Sequence, residues 1–258
     1  MNPNTLGIVV FPGFVAAVTQ CHRLAVERRS DWGLLVVPIV LLLGVALYLT
    51  NSRGSMLATA AAVVVYGAYA FAGRRAVPVG VVAGYGCVLA ALIAVSVLLP
   101  GGDGRRFVLW SAGLEAFLAS PTPLGEGLVG TDELIAPYLS DGGGSVHSSY
   151  LSVLLRTGFV GIVGYLLVVV GPTLHAAVRG GTASPAALAL ACAFAVHQLF
   201  EGYTLFQYEF PSVVGALAVG YLIVSLAPAT SEFAEADRHD EQSENDPPVD
   251  DESKSTDT

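Results

Sequence analysis

Residues 77–99 read VPVGVVAGYGCVLAALIAVSVLL, with no charged side chain from Val77 to Leu99. An apolar run of about 20 residues matches the hydrocarbon thickness of a bilayer in helical form. Similar runs recur on both sides of it. Seven candidate spans follow, roughly 6–22, 33–50, 55–72, 77–99, 158–177, 185–203 and 211–227. The first is the weakest, because Pro12 and Gly13 interrupt it. The predicted fold class is therefore all-α, a polytopic membrane helix bundle.

Composition agrees. Of 258 residues, 53% are hydrophobic and 13% charged, against about a quarter charged in soluble domains. The net charge of −9 is misleading. Residues 232–258 hold eleven acidic and two basic side chains, which is all of it; the rest of the chain is balanced. The domain reading is thus a membrane domain over 1–228 and a disordered acidic tail over 229–258. The tail has too little apolar surface to offset its ordering entropy. No basic segment points to nucleic acid. Cys21, Cys87 and Cys192 lie in or beside apolar runs without metal spacing, so they read as small core residues. No cleavable signal peptide is expected, since a basic n-region is absent.

Arginine placement sets the expected orientation. Arg23, Arg28, Arg29, Arg74, Arg75 and Arg179 fall on one side, and Arg53, Arg105, Arg106 and Arg156 on the other. The first side is read as cytoplasmic. The long connection over about 100–157 then faces outward and the tail inward, in a multi-pass protein of the cell membrane.

That connection looks structured. From Arg105 to Ser120, the residues Phe107, Trp110, Leu114, Phe117 and Leu118 share one helical face, with Arg105, Ala112 and Ala119 opposite. Pro121 and Pro123 stop this helix. A second one is expected from near Ser145 through Leu155.

Several residues here can carry chemistry. Arg53 follows Asn51-Ser52 at the outer end of a span, with Gly54 beside it. A guanidinium binds phosphate oxygens bidentately; it also snorkels at interfaces. His147 precedes Ser148, Ser149 and Tyr150. A neutral imidazole accepts a proton from a sugar hydroxyl; an exposed or capping histidine is the plainer reading. Arg105 and Arg106 can hold a diphosphate or anchor the helix to lipid headgroups. Tyr138 and Tyr150 can stack on sugars. His197 and Glu201 are four apart, hence on one helical face, as a structural pair or a metal or proton site. Gly125-x-Gly127-x-x-Gly130 has dinucleotide-fingerprint spacing, but it follows prolines in a loop instead of a strand.

In order along the chain stand Asn2-Pro3-Asn4-Thr5-Leu6, Leu49-Thr50-Asn51-Ser52-Arg53-Gly54, and Arg106-x-x-x-Trp110-x-x-Gly113 leading to Ser120-Pro121. Pro123-Leu124-Gly125-Glu126-Gly127 follows, then His147-x-x-Tyr150-Leu151 with Leu154-Leu155-x-x-Gly158. Together, over about residues 1–227, these segments resemble the O-antigen ligase and polysaccharide polymerase superfamily. The resemblance implies a membrane glycosyltransferase. Such an enzyme transfers or polymerises a polyprenyl-(pyro)phosphate-linked glycan onto an acceptor hydroxyl at the outer face. The acceptor would be a glycan, a lipid or a protein, and neither a cofactor nor a metal is implied. By resemblance Arg53, Arg106 and His147 are the catalytic candidates. The arginines would neutralise the phosphate leaving group and His147 would activate the acceptor. Arg105, Tyr150 and Glu201 are the substrate-binding candidates.

The chain departs from the family pattern in three ways. His147-Ser148 stands where a His-Asn pair is usual, and Arg156 stands where an acidic residue is frequent. Members also carry more spans, so this chain resembles one lacking the N-terminal third, whose spans a separate polypeptide would supply. Two other readings compete with the active enzyme: a catalytically silent fragment or accessory subunit, and a lipid-linked glycan flippase or transporter. The absence of an internal repeat weighs against a transporter.

Overall fold

The computed structural model describes residues 3–27, 30–98, 104–140, 143–179 and 184–226. The described residues form helices and no strand. The helices are α1 (Pro3–Val26), α2 (Ser30–Leu49), α3 (Arg53–Ala72), α4 (Val77–Leu98) and α5 (Gly104–Ala119). They continue with α6 (Thr131–Ile135), α7 (Ser149–Val169), α8 (Gly171–Arg179), α9 (Pro185–His197) and α10 (Phe210–Leu226). Among the described residues, three stretches are long and apolar enough to cross a membrane: Asn4–Val26, Arg53–Ala72 and Ser149–Arg179. Shorter apolar helices run over Leu35–Leu49, Pro185–His197 and Phe210–Ser225. The expected acidic tail and the Asp141-Gly142 step lie outside the described residues.

Small residues decide how the bundle packs. α3 sits at its centre, against α9, α4 and α1. Its buried face carries Ala58, Ala61, Ala62 and Val65. Gly80 and Gly84 of α4 press onto that face: a Cβ on Gly80 would lie 2.6 Å from the Cβ of Ala68. Lipid provides little hydrophobic drive between helices, so close backbone approach through small residues is what holds them. α9 is apolar all round and buried from Ala187 to His197 with Leu190 only partly covered, as befits a central helix. Large apolar side chains such as Leu41, Leu42, Phe71 and Leu167 remain exposed on the outside.

Four sequence expectations change. α1 runs unbroken through Pro12, with Phe11 and Val15 buried, so the predicted interruption is absent. The helix expected from Ser145 and the span expected from 158 are one element, α7, which begins only at Ser149 and kinks at Gly158. The sixth apolar run stops being helical at His197 instead of reaching 203, and a non-helical connection carries Glu201. In α5 the buried residues are Leu109, Ala112 and Gly113, whereas Leu114 and Leu118 are exposed. The small side of α5, which includes Ala112, lies inward because it lets Val146 approach: a Cβ on Gly113 would be 3.1 Å from Val146. Leu109, Ala112, Ile135, Leu139, Val146 and Leu155 make a second small core within the long connection.

The kink in α7 has a specific partner. Gly158 and Gly125 both have positive φ, +63° and +70°, a region open to glycine at little cost. Glu126 and Gly127 donate their amides to the carbonyls of Leu155 and Arg156 at 3.0 and 2.9 Å. Val160 donates to Pro123 at 3.1 Å. The Pro-Leu-Gly-Glu-Gly loop thus satisfies carbonyls that the kink releases from the helix. It is a clasp and not a phosphate loop, and it fixes α7 against α5.

Candidate functional site

The start of α3 is built by its own polar residues. Asn51 takes φ +52°, a conformation asparagine tolerates better than most side chains. The Thr50 hydroxyl donates to Leu47 at 2.6 Å and accepts from the Ser52 amide at 3.2 Å. Ser52 caps the helix, accepting from the Ser55 amide at 3.4 Å. Arg53 is the first helical residue and is exposed. A helix N-terminus is the positive pole of the macrodipole. Arg53 adds its own positive charge to that pole. Gly54 must be glycine because a Cβ would lie 2.9 Å from the Cβ of Phe200.

Phe200 brings the next cation in. Arg106 of α5 donates to the Phe200 carbonyl at 3.1 Å, and its guanidinium sits 5.9 Å from that phenyl centroid. Its other terminal nitrogen is 3.7 Å from the Glu201 carboxylate. Burial raises the Glu201 carboxyl above its usual range, and Arg106 opposes that rise. Ser149, at the start of α7, locks the same connection. Its amide donates to Gln198 at 2.9 Å, and its hydroxyl lies between the carbonyls of Glu201 and Tyr203.

His147 stands two residues before α7, not inside it, and has φ +42°. Its flanks are pinned from α5. Trp110 donates its indole N–H to Val146 at 3.0 Å, and Arg105 donates to Gly143 at 2.6 Å. These contacts turn the backbone so that Val146 is buried while His147 stays exposed. Crowding by protein, then the charges of Arg106 and Arg105, hold its pKa below the ordinary histidine value. Its imidazole is therefore neutral near neutral pH, the form that accepts a proton.

Arg106, Glu201 and Phe200 thus meet by direct contact. Gly54, next to Arg53 in the chain, packs on the same phenylalanine, and Arg106 and Arg105 act on His147 through charge. Tyr150 goes elsewhere: its hydroxyl donates to Ala195 at 2.7 Å and its ring packs on Tyr165, tying α7 to α9. His197 does not pair with Glu201 as the four-residue spacing allowed. It is fully buried and stacks on Phe11. Its Nε2 meets the Ser55 hydroxyl and its Nδ1 the Tyr203 hydroxyl, each at 3.1 Å. Ser55 in turn contacts the Ser52 hydroxyl at 3.0 Å. This buried relay, Ser52–Ser55–His197–Tyr203, ties the cap beneath Arg53 to the connection that bears Glu201. Sequence reading missed Ser55, Phe200 and Tyr203; the one signal was a histidine closing an otherwise apolar helix.

Comparison with known proteins gives one family. The O-antigen ligase family model matches residues 38–166, half of the chain. The match takes in Arg53, Arg105, Arg106, His147 and the whole clasp between Gly125 and Gly158. No curated protein and no solved structure matches the chain. The chain belongs to the O-antigen ligase family, and its apolar helices are those of a membrane protein.

Proposed function

We propose that this family member transfers or polymerises a glycan from a polyprenyl-(pyro)phosphate donor onto an acceptor hydroxyl at the outer face of the membrane. The observation that supports this reading most is the meeting of Arg106 and the Gly54 turn on Phe200. In this reading Arg53 and Arg106 bind the diphosphate through their guanidinium donors. The acceptor oxygen attacks the anomeric carbon. The bond from that carbon to the phosphate oxygen breaks, and its electron pair leaves with the polyprenyl diphosphate. His147 takes the acceptor proton. Glu201 holds Arg106 in place, and Arg105 holds the glycine stretch before His147.

The experiment is glycan transfer in membranes from a lipid-linked donor. His147→Ala is expected to lower transfer by about 10²–10⁴, the usual worth of a general base, with melting unchanged because the side chain is exposed. Full activity in that variant overturns the base assignment. An unmutated chain that binds donor but transfers nothing favours the accessory-subunit reading.

A further inference from the structure

Trp110 touches both halves of the candidate site. It stands four residues after Arg106 in α5, so the two side chains leave neighbouring turns of one face. Both meet Phe200. The Arg106 guanidinium lies 5.9 Å from the phenyl centroid, and the Trp110 ring lies 6.2 Å from it, tilted by 48°. That separation is within the range aromatic pairs favour. Phe107 meets the indole at 5.6 Å in a T-shaped contact.

The indole N–H serves the other half. It donates to the Val146 carbonyl at 3.0 Å, and that carbonyl belongs to the peptide bond entering His147. Val146 is fully buried, and a Cβ on Gly113 would come within 3.1 Å of it. On the far side of His147, the Ser149 amide is held by the Gln198 carbonyl at 2.9 Å. His147 is thus fixed through its neighbours in a left-handed conformation, φ +42°. Such a conformation persists only where the surroundings over-determine it, and it clusters at functional sites. An interfacial tryptophan turns its polar edge to the headgroups; here main chain takes the N–H.

We propose that Trp110 is a positioning residue for glycan transfer: its N–H sets where His147 stands, and its ring sets where Phe200, and with it Arg106, stands. The inference rests on the reading of His147 as the base. A rigid bicyclic ring transmits a fixed spacing, and a displacement on the order of 1 Å lowers a rate by about 10².

The test is kcat and donor KM of the full-length chain in membranes, with a lipid-linked glycan as donor. Trp110→Phe keeps a ring against Phe200 and loses the N–H. Its kcat is expected to fall about tenfold to a hundredfold, with donor KM unchanged. Trp110→Leu loses the ring as well, and donor KM is then expected to rise about threefold. Trp110→Phe is also combined with His147→Ala. A residue acting through His147 has nothing left to position there, so the residual kcat of His147→Ala is expected to stay the same. A further loss in that background, an unchanged kcat in Trp110→Phe, or an unchanged KM in Trp110→Leu overturns the proposal. A kcat loss in Trp110→Phe that vanishes when the assay is run well below its melting temperature is a folding effect and also overturns it. Full transfer in His147→Ala, or none in the unmutated chain, rejects the reading on which the inference rests, and the inference with it. An impaired His147→Ala beside a fully active Trp110→Phe rejects the inference alone.

Discussion

Arg106 donates a hydrogen bond of 3.1 Å to the carbonyl of Phe200, 94 residues away. The same phenylalanine closes on Gly54 so tightly that a methyl group would not fit. One aromatic residue therefore spaces two motifs that carry positive charge. Gly54→Ala is expected to push Phe200 away and disturb Arg106 with it. Overpacking of this kind costs about 1–3 kcal/mol. The expected result is a lower melting temperature together with weaker donor binding; a fully active, equally stable variant would show that Phe200 moves freely.

Arg53→Lys keeps the charge and loses the planar fork that grips phosphate at two points. Transfer is expected to fall by about tenfold or more, mostly as a raised KM for the lipid-linked donor, since one hydrogen bond to a charged group is worth about 1.5–3 kcal/mol. Wild-type kinetics in this variant would assign Arg53 to the interface alone.

The pH profile follows from His147. Its folded pKa is lowered, so the neutral, proton-accepting form persists to lower pH than for a free histidine. Activity should fall as pH drops through that lowered value, with the midpoint of the acid limb below about 6.5. Arg105→Gln removes one of the charges that depress it. The acid limb should then move toward higher pH. A limb that stays put in Arg105→Gln, measured as kcat/KM against pH, contradicts the electrostatic link.

His197→Ala should behave unlike His147→Ala. It removes the partner of the buried Tyr203 hydroxyl and leaves Ser55 with Ser52 alone, at a cost of about 1–3 kcal/mol for an unsatisfied buried group. Melting and transfer are both expected to drop. If His197→Ala melts like the unmutated protein while losing transfer, His197 touches substrate and is not a member of a buried relay.

Orientation is tested in intact cells. A cysteine at Gly143 should react with an impermeant thiol reagent, and one at Ser243 should not. The reverse pattern inverts the topology read from the arginines.

The recurring apolar runs were enough to read an all-helical membrane protein, because they are a local property of the chain. The same locality explains the errors. α5 shows its larger residues as one face, yet what buries Ala112 and Gly113 is the distant Val146. Glu201 and His197 share a helical spacing only if the helix continues, and Ser149 prevents that by binding the carbonyls of residues 198, 201 and 203. Arg53, Arg106 and His147 each stand in a motif that the sequence displays. Phe200, which joins two of those motifs, sits in none of them and looks like one more apolar residue.

The clasp between Gly125 and Gly158 has a genetic consequence. A Cβ on Gly158 would lie 2.4 Å from the Thr122 carbonyl oxygen, and one on Gly125 would lie 2.4 Å from the Arg156 carbonyl carbon. Each glycine faces main chain, which no side-chain replacement can trim. Second-site revertants of either glycine should therefore be changes of loop length, not of residue type. Drift in this stretch is held by a backbone that has nothing left to give.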